Sequence, residues 1–346
     1  MRIYLYEHLT ASGDPGLPSS LRAEGTAMFE AAVADLAACR DVEVVSCRDV
    51  RLEVAATTVD GVLLIAPETD GLLTTRAETV ERVGNCLLSP SSEFCRWASD
   101  KTQVAATLQA AGVPMPRGIL LAPGDPVPED FPFPAILKPN DGCGSQGISL
   151  LPSGEGGRWA DEGALPKLDV GMQNDDSRTE SPTRGSASLT LALSRREREF
   201  RRLEQFVPGR SVSVALMRGA AGVFPLPACS QRLADDGTFA YLGGACPLAP
   251  ALAARAERLA LHAAAVMPPW QGYIGLDLVL GPADDGSQDF LIEVNPRLTT
   301  SYVGLRALAE TNLAQAMLDV VAGRIPQLVF RQGGIEFDAA GNVRYV

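Results

Sequence analysis

Two apolar segments near the C-terminus carry acidic side chains where buried strands are usually hydrophobic throughout. The first, GYIGLDLVLG, contains Asp277, and the second, DFLIEVNPR, contains Glu293 and Asn295. Residues two apart on a strand face the same side, so Glu293 and Asn295 project together, and Asp277 can join them from an adjacent antiparallel strand. A carboxylate inside an otherwise apolar strand is costly unless a cation compensates it. The pattern therefore predicts two paired strands whose three polar side chains face one cation.

The residue types of this set favour magnesium. Two carboxylates and an amide oxygen are hard donors of the kind Mg²⁺ takes, especially when phosphates complete its shell. Arg297 follows two residues after Asn295, where a guanidinium could reach a phosphoryl group during transfer. The alternative is a set of ordinary surface charges at a strand end. The apolar run FLIEV favours the metal site over that alternative.

A glycine-rich loop follows a predicted strand that ends in a lysine. The segment KPNDGCGSQGI begins at Lys138 and contains Gly142, Gly144 and Gly147. Glycines let backbone N–H groups approach phosphate oxygens, and the lysine adds a positive charge. The letters also fit a Rossmann fingerprint, but the loop lies mid-chain and the strand ISLL follows it where a helix should begin. The segment indicates a hairpin covering phosphates, with an ordinary hairpin turn as the alternative.

A third segment, LEQFVPG, is typical of a strand end that turns into a linker. Backbone groups exposed there can recognise the edge of an adenine while apolar side chains hold the ring. Phe206 and Val207 are otherwise ordinary core candidates.

Composition excludes several other functions. The chain has 42 acidic and 30 basic residues and a net charge of −12, whereas nucleic-acid-binding proteins usually carry a basic patch. Its seven cysteines contain no C-x-x-C pair and it has two histidines, which argues against zinc chemistry and a disulfide scaffold. The sequence shows no membrane-length apolar run and no signal-peptide pattern. We therefore expect a cytoplasmic protein that binds neither nucleic acid nor membrane.

Apolar periodicity predicts an alternation of strands and helices. A β-α-β-β-α order indicates a small open α/β domain over about the first 95 residues. Beyond it, we predict helices at 100–111, 194–207, 251–267 and 301–323, and strands at 133–139, 148–151, 211–217, 222–228, 239–245, 272–281 and 289–297. The charged segment 194–207 is expected to form a solvated helix face, the polar segment 152–188 an inserted loop, and the C-terminal tail a hairpin around Gly341 and Asn342.

The three motifs in this order, preceded by Ser-Asp-Lys at 99–101, resemble the ATP-grasp superfamily. The resemblance covers about residues 1–325 and implies an α/β (α+β ATP-grasp) fold. The implied parts are an N-terminal open α/β domain at 1–97, a central α+β lid at 98–205 with the insertion at 152–188, a C-terminal antiparallel-sheet α+β domain at 206–325, and a tail at 326–346. Such enzymes activate a carboxylate with ATP as an acyl phosphate, which an amine attacks to give an amide and ADP.

The resemblance also implies roles for individual residues. Arg297 and Lys138 would be catalytic, and Asp277, Glu293 and Asn295 would hold Mg²⁺, with Mn²⁺ as a substitute. The implied nucleotide-binding residues are Lys101, Lys138, Gly142, Gly144, Ser145, Gln146, Gly147, Glu204, Gln205, Phe206, Val207 and Ser211. Ser211 departs from the pattern, because many relatives carry a carboxylate there for the ribose hydroxyls. Dimers are common among similar enzymes, so a homodimer is compatible with the resemblance.

A narrower resemblance is to the tyramine–glutamate ligases of methanofuran biosynthesis, carried by YEHLT, LPSSLRAEG, APETDGLL, SQRL and YLGG. It implies attachment of glutamate to an aromatic or furan-type amine in the synthesis of a methanofuran-like one-carbon cofactor. It places Glu68, Arg232 and Tyr241 near the acceptor pocket; otherwise Glu68 is a loop carboxylate and Arg232 a surface cation. Gly275 stands where D-alanine–D-alanine ligases carry an arginine, which argues against that subfamily.

Two other functions stay open at this stage. One is an ATP-binding regulator without catalysis, and the other is a different ADP-forming reaction such as a carboxylation through phosphate activation. The combination of two lysines, the acidic set and Arg297 favours an enzyme, because a sensor would not need them all.

Overall fold

The computed structural model describes residues 1–13, 19–142, 146–152 and 200–346, and in these ranges the chain forms three β-sheets. The predictions for Gly144, Ser145 and nearly all of the segment 152–188 lie outside the described residues. The predicted fold class is confirmed: a parallel sheet with helices is followed by two antiparallel sheets.

The N-terminal sheet is parallel and has helices on both faces. Its strands are β1 (Arg2–Glu7), β2 (Glu43–Ser46) and β3 (Gly61–Ile65), in the order β2-β1-β3, and its helices are α1 (His8–Ser12), α2 (Ser19–Ala37), α3 (Leu52–Ala55) and α4 (Leu72–Arg82). Alternate residues of β1 pack in different clusters: Ile3 and Leu5 join Phe29 of α2, whereas Tyr4 joins Leu73 of α4. All five residues of β3 are buried, as expected for a strand covered on both faces.

A small antiparallel sheet follows two helices. The helices are α5 (Ser92–Ser99) and α6 (Lys101–Ala110), and the strands, in the order β4-β7-β5-β6, are β4 (Gly118–Leu121), β5 (Ala135–Pro139), β6 (Ser149–Leu151) and β7 (Arg201–Gln205). As expected from its residue type, Asp100 caps α6, accepting hydrogen bonds from the N–H groups of Thr102 and Gln103 at 3.0 and 2.9 Å.

The predicted helix over 194–207 is wrong where the structure describes it, because residues 201–205 form β7. The charged residues of this strand are not a solvated face. Arg202 and Glu204 lie on one side of the strand, are both buried, and form an ion pair of 3.0 Å between Nε and Oε2. Residues two apart face the same side of a strand. The helix prediction instead assumed that opposite charges four residues apart would be neighbours on one helix face.

The C-terminal sheet has eight strands, more than either of the other two sheets. Its strands are β8 (Arg210–Gly219), β9 (Gly222–Pro225), β10 (Cys229–Leu233), β11 (Tyr241–Cys246), β12 (Gly272–Leu280), β13 (Phe290–Asn295), β14 (Ile335–Asp338) and β15 (Val343–Tyr345). The order is β13-β12-β8-β10-β11-β14-β15, with β9 paired to β8. The predicted tail hairpin is present as β14 and β15, and β14 pairs with β11. The sequence analysis did not predict β10.

Three helices pack with this sheet: α7 (Pro250–Val266), α8 (Ser301–Leu308) and α9 (Leu313–Val321). The prediction of one helix over 301–323 is wrong, because the helix is interrupted between α8 and α9. Asn312 caps α9 by accepting a hydrogen bond from the Gln315 N–H at 3.0 Å, and its own amide donates to the Asp35 carbonyl of α2 at 2.8 Å. Asparagine is a preferred N-cap residue, which explains a new helix start inside a helical periodicity.

Helix α2 is fixed onto the C-terminal part of the chain by a buried polar cluster. The Asp35 carboxylate accepts from the Tyr302 hydroxyl at 2.7 Å and pairs with Arg306 Nη2 at 2.6 Å. This contact holds α2 beside α8. Among the helices that the structure describes, none is long and apolar enough to cross a membrane.

Candidate functional site

A cavity of about 540 Å³ lies between the small sheet and the C-terminal sheet, with α2 contributing to its wall. The predicted residues on its wall are Lys138, Glu204, Gln205, Phe206, Val207, Ser211, Tyr241, Asp277, Glu293, Asn295 and Arg297. The structure therefore brings most of the candidate nucleotide, metal and catalytic residues to one place.

The acidic set lies on two adjacent strands in the predicted manner. Asp277 of β12 is directly opposite Glu293 of β13, and Gly275 is opposite Asn295. Asn295 Nδ2 donates to one Asp277 oxygen at 2.9 Å, and Gln231 Nε2 of β10 donates to the other at 2.7 Å. Burial, together with the negative charge of Glu293, raises the pKa of Asp277 to about 6. Two facing carboxylates thus repel each other at the cavity wall.

The lysines approach this wall from the other side. Lys101 Nζ, at the start of α6, lies 3.0 Å from Glu293 Oε1 and donates to the Gly142 carbonyl at 2.8 Å. Lys138 Nζ, on β5, lies 2.6 Å from Glu204 Oε1, and both side chains are buried. Burial raises the pKa of Glu293, but the charges of Lys101, Lys138 and Arg297 outweigh burial and leave it below its ordinary value.

The described ends of the glycine loop have the backbone conformation that glycine allows. Gly142 has a φ of 116° and Gly147 a φ of 70°, values that side-chain-bearing residues rarely adopt. Arg201 Nη2 donates to the Gly147 carbonyl at 2.6 Å, and Gln146 lies just before this residue. The loop ends are thus attached to β7 and, through Lys101, to α6.

The segment after β7 forms the part of the wall predicted to recognise adenine. The N–H groups of Gln205 and Phe206 already donate to the carbonyls of Arg117 and Pro134, at 2.8 and 3.0 Å. The Phe206 ring lies 6.3 Å from that of Phe239, measured between centroids. The Glu204 side chain on this wall is held between two cations, with 2.6 Å between its Oε1 and Lys138 Nζ and 3.0 Å between its Oε2 and Arg202 Nε.

The three candidates for the acceptor pocket have different positions. Tyr241 lies on the cavity wall. Glu68 is buried behind it and holds Arg297, with 3.0 Å between Oε1 and Nε and 3.3 Å between Oε2 and Nη2. Arg232 is exposed, donates to the Leu242 carbonyl at 3.1 Å and is not among the residues that line the cavity. Alternation along β10 turns its neighbour Gln231 toward the cavity instead.

Sequence reasoning missed eight polar residues on the wall. They are Glu24, Arg210, Ser213, Gln231, Asp235, Thr299, Thr300 and Ser301. Glu24 projects from α2 and accepts a hydrogen bond from the Thr300 hydroxyl at 3.1 Å, and burial raises its pKa. Glu24 lies in LPSSLRAEG, one of the segments that carry the narrower resemblance. This membership was the one sequence signal that could have identified Glu24 as a site residue. Gln231 lies on the strand that was not predicted.

The donor set fits a hard divalent cation. Asp277, Glu293 and Asn295 offer oxygen ligands at one point, and a cation there would relieve the repulsion between the carboxylates. Across the part of the chain that the structure describes, no group of three or more His, Cys, Asp or Glu side chains could hold a metal. A cation at this wall would therefore need the amide oxygen of Asn295 or oxygens of a bound ligand in addition to the two carboxylates.

Comparisons with known proteins agree with this architecture. Residues 26–93 match the family model of the pre ATP-grasp 3 domain, and residues 175–301 match that of the ATP-grasp domain. An ATP-grasp superfamily protein from Archaeoglobus fulgidus is similar with a TM-score of 0.65 and 22% identity, covering 98% of this chain and 92% of that one. The D-alanine–D-alanine ligase from Bacillus anthracis, solved with ATP, is similar with a TM-score of 0.59 and 18% identity over 93% of this chain and 96% of that one.

A tyramine–L-glutamate ligase from Methanocaldococcus fervens is 28% identical over 135 residues, which are 39% of this chain and 42% of that protein. The matched segment thus spans about two fifths of the length of the curated relatives. Gly275 is informative beside the D-alanine–D-alanine ligase, because a Cβ atom at this position would lie 2.5 Å from Thr299 Cγ2. A larger side chain at this position would require the Thr299 side chain to move.

Proposed function

We propose that this chain, an ATP-grasp protein by its fold and its two domain matches, is an ADP-forming ligase that joins a carboxylic acid to an amine. The observation that carries the proposal is the pairing of Asp277 and Glu293 at the wall of a cavity that Lys138 and Arg297 also reach. A regulator that only binds a nucleotide would not require facing carboxylates at a point where phosphates are transferred. The order of the three sheets supports the division into an N-terminal domain, a central lid and a C-terminal domain.

The charges of the site suit a triphosphate. ATP and a carboxylate substrate together carry several negative charges, and Lys101, Lys138 and Arg297 supply positive charges around the cavity. Asp277, Glu293 and Asn295 would hold Mg²⁺, which when bound neutralises phosphate charge and favours phosphoryl transfer. The lysines would exchange their present carboxylate partners for phosphate oxygens when the nucleotide binds.

The proposed reaction has two steps. An oxygen of the carboxylate attacks the γ-phosphorus of ATP, the bond to the bridging oxygen breaks, and ADP leaves an acyl phosphate. The amine nitrogen then attacks the acyl carbon, phosphate leaves, and the nitrogen loses a proton to give the amide. Arg297, oriented by Glu68, would face the transferred phosphoryl group, and the glycine loop with the small sheet would exclude water from the acyl phosphate.

Tyramine and L-glutamate are the first substrates to test, because two curated relatives at 28% identity are named for them. ADP release should require an acid and an amine together, and hydroxylamine in place of the amine should trap the acyl phosphate as a hydroxamate. ADP release that needs bicarbonate and no amine would instead indicate a carboxylation. Tight ATP binding without ADP release for any pair in an amino-acid and amine panel would indicate a regulator and contradict the proposal.

Replacing Lys138 with alanine should weaken ATP binding about ten- to a hundredfold, because a charge-assisted contact to phosphate is lost. Glu204 keeps its pairing with Arg202 in this variant, so its buried carboxylate is not left without a counter-ion. Calorimetric titration with Mg-ATP measures the affinity. Arg82→Ala removes an exposed cation on α4 and should bind ATP like the wild type. Equal affinity in Lys138→Ala would remove Lys138 from the phosphate site.

A further inference from the structure

One end of the cavity carries a carboxylate that forms no direct ion pair with a cation among the described residues. This end is formed by Glu24 of α2, Tyr241 of β11 and the turn that precedes α8. The Glu24 carboxylate accepts a hydrogen bond from the neutral hydroxyl of Thr300 at 3.1 Å. Because the hydroxyl is neutral, this hydrogen bond does not compensate the negative charge that Glu24 contributes to the cavity.

Three other carboxylates of the site form ion pairs with cations. Glu293 pairs with Lys101 at 3.0 Å, Glu204 with Lys138 at 2.6 Å, and Glu68 with Arg297 at 3.0 Å. Arg297 donates both Nε and Nη2 to Glu68, and its positive charge also acts to lower the pKa of Glu24, although no ion pair joins the two side chains. A half-buried carboxylate without a direct ion pair is unfavourable, and a cation entering the cavity would reverse that.

Tyr241 makes the same end suitable for an organic cation. Its side chain lies on the cavity wall. Burial raises the pKa of its hydroxyl, the charges of Asp277 and Glu24 raise it further and the charge of Arg232 lowers it, so these groups are neighbours of Tyr241. An aromatic face beside a carboxylate attracts a substituted ammonium, with the ring in contact with the carbon next to the nitrogen. The position beside Asp277 also places such a cation next to the proposed phosphoryl-transfer point.

We propose that Glu24 and Tyr241 form a subsite for the primary ammonium group of a substrate. The inference rests on the proposed ligase function, since both an amine and an amino acid could supply this group. The amine and the amino acid would both present an alkylammonium group, and separate experiments with each substrate distinguish them.

The test compares Glu24→Gln, Glu24→Asp and Glu30→Gln with the wild type. Glutamine keeps an oxygen for the Thr300 hydroxyl and removes the charge, whereas aspartate keeps the charge. Glu30 is on the same helix but is exposed and pairs with Arg48, which makes it a matched control for loss of a carboxylate from α2. Thermal unfolding verifies that each variant is folded.

Glu24→Gln should raise the KM of one ammonium-bearing substrate at least about tenfold and leave the KM of ATP unchanged. Glu24→Asp should recover part of the loss, and Glu30→Gln should behave like the wild type. A shift for tyramine that vanishes with hydroxylamine, which is largely uncharged at neutral pH, assigns the subsite to the amine. A shift for L-glutamate that vanishes with glutarate, which lacks the ammonium, assigns it to the amino acid.

Unchanged KM values for both substrates in Glu24→Gln, or an equal change for ATP, would overturn the subsite while leaving the ligase proposal intact. If the wild type releases no ADP, calorimetric titration with tyramine and with L-glutamate still tests the inference. Binding by the wild type that weakens in Glu24→Gln supports an ammonium subsite, and equal binding by the two proteins, or none by either, contradicts it.

Discussion

Glu293→Gln is expected to lower the rate of ADP release about a thousandfold, the size of effect that follows loss of a charged group acting on a transferring centre. The substitution keeps the volume and one oxygen but removes the charge that faces Asp277 across the strand pair. A divalent cation would then have one carboxylate and two neutral oxygens as ligands. Lys101 would also lose its 3.0 Å partner and could occupy the cation's place beside Asp277.

The readouts separate a metal role from a structural one. The unliganded variant should keep a free energy of unfolding within about 1 kcal/mol of the wild type, because relief of the repulsion from Asp277 offsets the lost pairing with Lys101. The rise in unfolding temperature that Mg-ATP gives the wild type should disappear, because a ligand stabilises a protein only when its concentration exceeds or approaches its Kd. Glu257→Gln, an exposed carboxylate on α7, serves as the matched control. A Glu293→Gln protein that keeps both ADP release and stabilisation by Mg-ATP would exclude Glu293 as a metal ligand.

The acidic set could be predicted from the sequence because its geometry depends on local rules. Strand alternation alone places Glu293 and Asn295 on one face, and a short connection between two apolar strands makes them antiparallel neighbours. The high cost of a carboxylate in the run FLIEV then points to a cation. No long-range information is needed for any of these steps, and the register of β12 and β13 agrees with them.

The remainder of the cavity wall depends on contacts that local patterns do not encode. Glu24 reaches the cavity because Asp35, eleven residues further along α2, is bound by Tyr302 and Arg306 of α8. The choice between Gln231 and Arg232 depends on the register of β10, and a shift of one residue exchanges the two faces of a strand. The charge pattern at 194–207 was misread because Arg202 and Glu204 satisfy each other in a buried strand instead of on a solvated helix.

A buried ion pair between Asp289 and Arg255 holds the strands that carry the acidic set. Asp289, immediately before β13, accepts from Arg255 Nε of α7 at 3.0 Å and from Arg255 Nη2, and it also accepts from the Gly281 N–H at 3.0 Å. Arg255 Nη2 in turn donates to the Gly281 carbonyl at 2.8 Å. The two ends of the β12–β13 connection are thus bound to each other and to α7, which fixes the register that places Asp277 opposite Glu293.

Asp289→Ala is therefore expected to reduce the free energy of unfolding by about 3–5 kcal/mol, because it leaves the buried guanidinium of Arg255 without its counter-ion. Urea denaturation followed by circular dichroism measures the change. Asp284→Ala, an exposed carboxylate of the same connection, should keep the wild-type midpoint. Combining Asp289→Leu with Arg255→Met should recover most of the loss, since an apolar pair needs no counter-ion, although the Gly281 N–H would still lack its acceptor. If the single variant unfolds at the wild-type midpoint, the pair contributes nothing to the register, and the alignment of the two site carboxylates must come from the sheet alone.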